Sequence, residues 1–440
     1  MKRKQLPKLT VENDFATIIQ ELAQAKDSYI LRQLPAIHFD KAVKLHMNLI
    51  VKQLIAAKQK AKQALSTVRY TWLSEIPKGS NYSYIPTAIQ NEIITSCNHF
   101  LQFSLTCVNR KFTIHICLNT KEIPKSRIER IIMWILFVNP FVIETCSKEV
   151  NIYFYDIERK KQLPKGGSMN VLDREHINTA FTTSCNVQTS IYIFRKEENF
   201  KVFLHETCHN LGLDFLSISD YLLQKEEETI QKLFQLQQTN LRYNESYCEL
   251  CARMMNTMII ILYDYYPSKQ PLAGKTRRGR RSRPPIHTRK QKVNHILQLW
   301  KRHFVYEQLF SMVQCVKLLK YNNIHYREFF HDPSKGPHYK ENTQGFSYFV
   351  LSSILLFHMG DSLQWMAKYA KGSLNIQKSE ECLGNFIELY KKHHRDSKYL
   401  KAIEFIEPFL EKINHEEFSQ SLRMTLGEPT PLPPSVPQVV

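Results

Sequence analysis

No apolar run in this chain reaches the ~18–20 residues needed to cross a bilayer. The two best runs are Ile131 to Ile143, broken by Asn139-Pro140, and Ser347 to Met359, which carries three serines and a histidine. Both read as buried helices, and no transmembrane segment is expected. The amino terminus, MKRKQLPKL, is basic but has no apolar stretch after it, so no signal peptide is expected either. There is no GxGxxG, no P-loop and no internal repeat, which leaves phosphate cradling and repeat solenoids without a signature. A second CxxC is also missing. Only Cys248-Glu249-Leu250-Cys251 occurs, so a zinc ribbon is excluded and helix packing is the expected role of that pair. The ten cysteines are scattered, mostly in apolar segments, as reduced thiols of an intracellular protein would be, in the cytoplasm or the nucleus.

Acid is the scarcer charge. Sixty Lys and Arg stand against 41 Asp and Glu, a net charge of +19. That surplus favours contact with nucleic acid or another anionic surface and says nothing about fold. Much of it is local: Lys275 to Lys292 carries nine basic residues and no acid. The run fits an exposed nuclear-import signal, a nucleic-acid contact or a solvated insertion equally well. No aromatic residue interleaves it, so base stacking there is not expected.

What the chain does contain is Phe200 to Phe215, FKVFLHETCHNLGLDF. Its apolar residues have helical spacing, and residues four apart on a helix share a face. His205 and His209 can therefore offer two imidazole nitrogens to one metal ion. Glu206 lies about 100° further round, placed to take a proton from a metal-activated water. This is the HExxH arrangement of zinc metallopeptidases. Two imidazoles need a third ligand. Six residues after His209 stands Phe215, where metzincins place a third histidine, although Gly212 matches their glycine. Ligand chemistry leaves Glu245, Glu249, Asp214 or a cysteine open.

Asn244-Glu245-Ser246-Tyr247-Cys248-Glu249, ahead of the apolar helix Leu250 to Leu262, resembles the gluzincin pattern of an Asn-Glu pair with an acid four residues later. The resemblance implies Glu245 as the third zinc ligand and Glu249 as an acceptor behind a ligand histidine. It covers roughly residues 150 to 262 and points to the zincin superfamily. The blocks Gly166-Gly167, Asn178 to Phe181, the HExxH helix and Glu-Ser-Tyr-x-Glu also resemble uncharacterised metallopeptidase-like proteins of large DNA viruses, which would put the chain in an infected host cell.

The zincin resemblance implies an α+β fold: a mixed sheet with an active-site helix, followed by a mainly helical lower lobe. Along the chain, residues 1–75 read as a basic helical region, with helices from Val11 to Ala25 and from Asp40 to Ser66. Asp40 is the expected N-cap, and Val43, Met47, Ile50, Leu54 and Ala57 form an apolar stripe. Residues 90–220 would form the upper lobe. In it, helices are expected at Asn91 to Leu105 and Ser126 to Val138, and strands at Lys111 to Leu118, Val150 to Ile157 and Thr189 to Phe194. The last strand would be the sheet edge that binds extended substrate. Residues 221–420 would form the lower lobe, holding the third ligand and a basic insertion at 267–292. Its helices are expected at Leu222 to Leu241, Asn244 to Tyr263, Val293 to Lys320, Asn342 to His358, Ser379 to Lys392 and Tyr399 to Ile413. The proline-rich residues 427–440 read as a disordered tail.

The function implied is zinc-dependent hydrolysis of a protein or peptide, with Glu206 as general base. The alternative is a zincin-fold protein that no longer cleaves and serves as a nucleic-acid-associated assembly factor. A third possibility, peptide deformylase chemistry, would use the upstream Cys185, but its Thr-Ser-Cys-Asn setting lacks the context of that family. Tyr243, Tyr247 and His295 are the candidates for a donor to the substrate carbonyl.

Overall fold

A computed structural model of the chain describes residues 14–165, 170–237, 241–266 and 289–428. Within these residues the chain opens in two helices, α1 (Asp14–Gln33) and α2 (Lys41–Leu65). The Val43 amide donates to Asp40 Oδ1 at 2.8 Å, so the aspartate caps α2. The stripe from Val43 to Ala57 is buried, and most of the lysines face out. Lys58 is the exception: its ammonium donates to the Leu262 and Tyr266 carbonyls at 2.9 and 2.7 Å.

Six strands follow: β1 (Thr71–Leu73), β2 (His99–Cys107), β3 (Arg110–Leu118), β4 (Glu149–Tyr155), β5 (Ala180–Thr182) and β6 (Gln188–Ile193). They form one mixed sheet in the order β1-β2-β3-β4-β6-β5, so the fold is mixed α+β. β3, β4 and β6 run parallel, while β1, β2 and β5 are antiparallel to their neighbours. Helix α3 (Thr87–Ser96) covers one face. Helix α4 (Lys125–Val138) crosses from β3 to β4 over the other, burying Ile128, Ile131, Ile132 and Ile135 in the main core.

Two expectations for this region are overturned. Residues 99–105 are strand, because β2 pairs with β3 along nine residues from His99↔Leu118 to Cys107↔Arg110. The strand expected at the sheet edge, β6, is internal. β5 lies outside it, pairing Phe181 with Tyr192. The free edge beside the cleft therefore belongs to residues 180–182. On the α3 face, His115, Tyr153, Tyr192 and Phe181 stack across four neighbouring strands at 4.7, 4.8 and 4.8 Å between centroids. The loop carrying Tyr84 crosses this ladder at Gly79, where any Cβ would collide with the Tyr192 hydroxyl.

A short α5 (Arg174–Ile177) precedes β5, and the motif helix α6 (Asn199–Asn210) follows β6. The rest is helical: α7 (Asp220–Leu233), α8 (Tyr243–Asp264), α9 (Arg289–Tyr321), α10 (Glu328–His331), a π-helical turn (Phe346–Leu351), α11 (Ser352–Phe357), α12 (Met359–Tyr369), α13 (Glu380–His393), α14 (Ser397–Glu411) and α15 (Glu416–Gln420). Helix α7 stops eight residues short of the expected Leu241. Of the basic insertion, residues 289–292 are the first turn of α9. Residues 267–288 lie outside the described residues, as do Gly167, Gly166 and 429–440. Eight cysteines are buried thiols, but Cys146 and Cys185 are joined by a disulfide, contrary to the all-reduced expectation. Among the described residues no single helix is long and apolar enough to cross a membrane.

The π-helical turn starts over a buried carboxyl. Phe346 N–H donates to both oxygens of Glu341 at 3.0 and 3.2 Å, and the Tyr339 hydroxyl donates at 2.7 Å. Burial outweighs these donors and pushes the Glu341 carboxyl up to about 8. The unfolded chain loses this proton in the ordinary carboxylate range, whereas the folded chain keeps it until about pH 8. Folding stability should therefore fall as pH rises between about 5 and 8, by up to a few kcal/mol. Glu341→Gln cannot ionise, so its thermal unfolding should lose less stability than wild type over that window. Parallel curves for the two proteins would contradict this.

Residues 421–428, expected at their end to belong to the tail, are built into the core. Met424 N–H donates to Glu198 Oε1 at 2.8 Å, and Leu426 and Gly427 donate to Glu307 Oε1 at 3.0 and 3.2 Å. Glu428 Oε1 in turn accepts from the Glu198 amide at the start of α6, at 3.0 Å. Ending the chain after residue 428 keeps all of these contacts. Ending it after Ser421 strips partners from two buried carboxylates, a class of change that costs about 3–5 kcal/mol. Urea unfolding of the two truncations checks this, and equal midpoints would contradict it.

Candidate metal centre

Helix α6 is buried along its length because β6 delivers it under the sheet and α8 packs on its other side. Thr207 helps seat it, accepting a hydrogen bond from the Trp134 indole of α4 at 2.7 Å. On the cleft side, His205 Nε2 and His209 Nε2 lie 3.3 Å apart. Glu245, in the first turn of α8, places Oε2 at 3.0 Å from each. Zinc bonds of about 2.0–2.2 Å in a tetrahedron set neighbouring ligand atoms roughly 3.3 Å apart, so the triangle is of the size a zinc ion needs. Two imidazoles and one carboxylate are also a donor set that suits zinc.

Each imidazole is backed by a carboxylate. Asp214 Oδ2 lies 2.6 Å from His209 Nδ1, and Asp214 Oδ1 accepts from the Leu216 amide at 3.2 Å. The chain can return there because Gly212 takes φ +62°, the left-handed conformation that ends α6. Glu249 Oε2 lies 3.3 Å from His205 Nδ1, within ion-pair reach though off the line of a good hydrogen bond. A carboxylate behind a ligand imidazole fixes which nitrogen faces the metal. Of the open third-ligand alternatives, only Glu245 reaches both Nε2 atoms. Asp214 and Glu249 sit behind the rings. Cys248 Sγ is 3.6 Å from His209 Nδ1, also behind.

Glu249 is itself clamped. Lys201 Nζ donates to its two oxygens at 3.0 and 2.9 Å, and Arg253 Nε donates at 2.6 Å, all three side chains being at most 2% exposed. Burial opposes the charge on Glu249, but Lys201 and Arg253 outweigh it and hold the carboxyl well below its usual range. Lys161 and Glu198 form a second buried pair nearby. Sequence reasoning missed this cluster. The available signal was Arg253, a charge inside an apolar helix, which must be paired if buried.

Glu206 points to the cleft and is 8% exposed. Burial pushes its carboxyl above the ordinary range, against the pull of His205 and His209. The cleft has a volume of about 510 Å³ and is bounded by α5 and β5 on one side and the start of α8 on the other. Tyr348, on the π-helical turn, lines it with its ring 5.8 Å from that of His205. The three candidate carbonyl donors are elsewhere. The Tyr247 hydroxyl donates to the Leu374 carbonyl at 2.6 Å, Tyr243 is buried against Phe215, and His295 pairs with Tyr266 at 2.5 Å. Cys185 belongs to the disulfide beyond the end of α6 and is not in the metal-ligand group.

Compared with protein-family models, curated proteins and solved structures, the chain matches none.

Proposed function

We propose that the chain is a zinc-dependent peptidase of the zincin kind, with His205, His209 and Glu245 holding the ion. The observation that carries this is the approach of Glu245 to both inward-facing imidazole nitrogens, with a carboxylate behind each ring. The mixed sheet ahead of α6 and the helical body after it are the features of the fold on which the zincin reading draws. Zinc in such a site lowers the pKa of a water to about 7.

The chain's own groups supply the rest. Glu206 takes the proton of the attacking water, its raised carboxyl being suited to giving that proton on to the leaving amine. Tyr348, which lines the cleft and whose hydroxyl interacts with Glu245, is the candidate donor to the carbonyl oxygen as charge gathers there. Asp214 and Glu249 keep the two rings in one tautomer and one orientation. The outer edge of the sheet at residues 180–182 offers main-chain groups to an extended segment.

Incubation with a mixed peptide library, read by mass spectrometry, tests the assignment. Cleavage should occur, stop on chelation and return with added zinc. A competing assignment, a nucleic-acid-bound factor without hydrolysis, draws on the +19 charge. It requires no cleavage and a salt-sensitive affinity for nucleic acid that disappears when residues 275–292 are deleted.

A further inference from the structure

The cleft has a distinct charge pattern once the metal cluster and Glu206 are set aside. Among the described residues lining it, the acids Glu206, Asp214 and Glu245 all stand at the His205–His209 centre, and the charge away from that centre is on Arg174 and Arg242. They stand on opposite walls. Arg174 opens α5 just ahead of β5, and Arg242 precedes α8, three residues before Glu245. Both are exposed, and neither side chain is in an ion pair with a described residue. Glu227 is the acid that feels Arg242, yet burial still raises its carboxyl overall.

The backbone under each arginine is fixed. The Arg174 amide donates to Asp173 Oδ1 at 2.5 Å, and the Arg242 amide donates to Ser347 Oγ at 3.3 Å. Between them the wall is aromatic: Tyr84, 69% exposed, meets Phe181 edge-on at 6.1 Å. Two cations of one sign at the rim of a cleft raise the local concentration of an anionic ligand. A guanidinium also pairs with a carboxylate through two parallel hydrogen bonds, which a lysine cannot do.

We infer that the cleft takes an acidic polypeptide segment, with carboxylate side chains engaging Arg174 and Arg242 on either side of the metal centre. The choice of a polypeptide rests on the hydrolytic assignment above. An exposed arginine–carboxylate pair corresponds to about 1.5- to fivefold in affinity. With two such pairs, an acidic peptide should bind roughly two- to twentyfold more tightly than a neutral one of equal length at low salt.

The test is fluorescence anisotropy with the full-length Glu206→Gln protein, so that binding is read without turnover. The probes are labelled twelve-residue peptides, roughly one class each of Asp/Glu-rich, Ser/Ala-rich and Lys-rich, and a single-stranded oligonucleotide. The acidic peptide should bind best. Arg174→Gln with Arg242→Gln should remove that preference, and the corresponding double change to Glu should reverse it in favour of the basic peptide. Equal affinity for acidic and neutral peptides, or a preference that survives both double changes, would overturn the inference. So would tighter binding of the oligonucleotide that is lost with the same substitutions. If the wild type cleaves nothing yet the acidic peptide binds as expected, the peptidase assignment fails and the anion-binding cleft stands. Cleavage of basic peptides as readily as acidic ones overturns the cleft inference alone.

Discussion

Glu206→Gln should reduce peptide hydrolysis by about 10²–10⁴-fold, the contribution of a well-placed general base, and leave bound zinc unchanged. His205→Ala should remove hydrolysis and zinc together. The contrast follows from position. His205 Nε2 is one corner of the 3.0, 3.0 and 3.3 Å triangle, whereas Glu206 lies outside it and faces the cleft. Glutamine keeps the shape of the side chain but cannot accept a proton. Initial rates on a cleaved library peptide, beside metal content by mass spectrometry, decide the matter. An active Glu206→Gln protein, or a His205→Ala protein that keeps its zinc, would contradict the roles assigned.

Lys201→Met should give a large loss of stability from a single change outside His205, His209 and Glu245. Lys201 supplies, beside Arg253, one of the two cations that neutralise Glu249, all three side chains being at most 2% exposed. Its removal leaves a buried carboxylate half-compensated, which costs about 3–5 kcal/mol. It also loosens the group behind His205, and losing such support typically weakens metal affinity by about 10–100-fold. The triple change Lys201→Met, Glu249→Gln and Arg253→Met removes all three buried charges and should recover much of the stability but not the metal affinity. Calorimetry of the three proteins with and without zinc separates these effects. A Lys201→Met protein that unfolds with the wild type would show that the pair is not buried as described.

How far the site can be read in the sequence depends on distance along the chain. His205 and His209 are visible as a pair because one helical turn brings them together. Glu245 lies 36 residues beyond His209 and is reached only through the gluzincin resemblance. Asp214 comes into place through the left-handed turn at Gly212, a backbone event that composition does not announce. Tyr348 sits in an apolar run that reads as plain core, and only the packing of the π-helical turn against α8 brings it to the cleft.

The fold shows the same division. Helices α2, α4 and α8 have apolar stripes and fall close to the expected spans. β2 does carry a strand's alternation, Leu101-Gln102-Phe103-Ser104-Leu105-Thr106-Cys107, with Ser104 and Thr106 exposed, but the helix expected from Asn91 runs on across it. β5 has only three residues and cannot show a period at all. Its absence from the sequence reading is what placed β6 at the edge.

Metal content is the most direct test of the proposed centre. Full-length wild type and Glu245→Ala should be equilibrated with zinc, dialysed and assayed by mass spectrometry. Wild type should retain about one zinc per chain, as a three-ligand site with an open position does, and Glu245→Ala should retain little or none. Wild type that holds no zinc, or Glu245→Ala that holds it as tightly as wild type, would contradict the account.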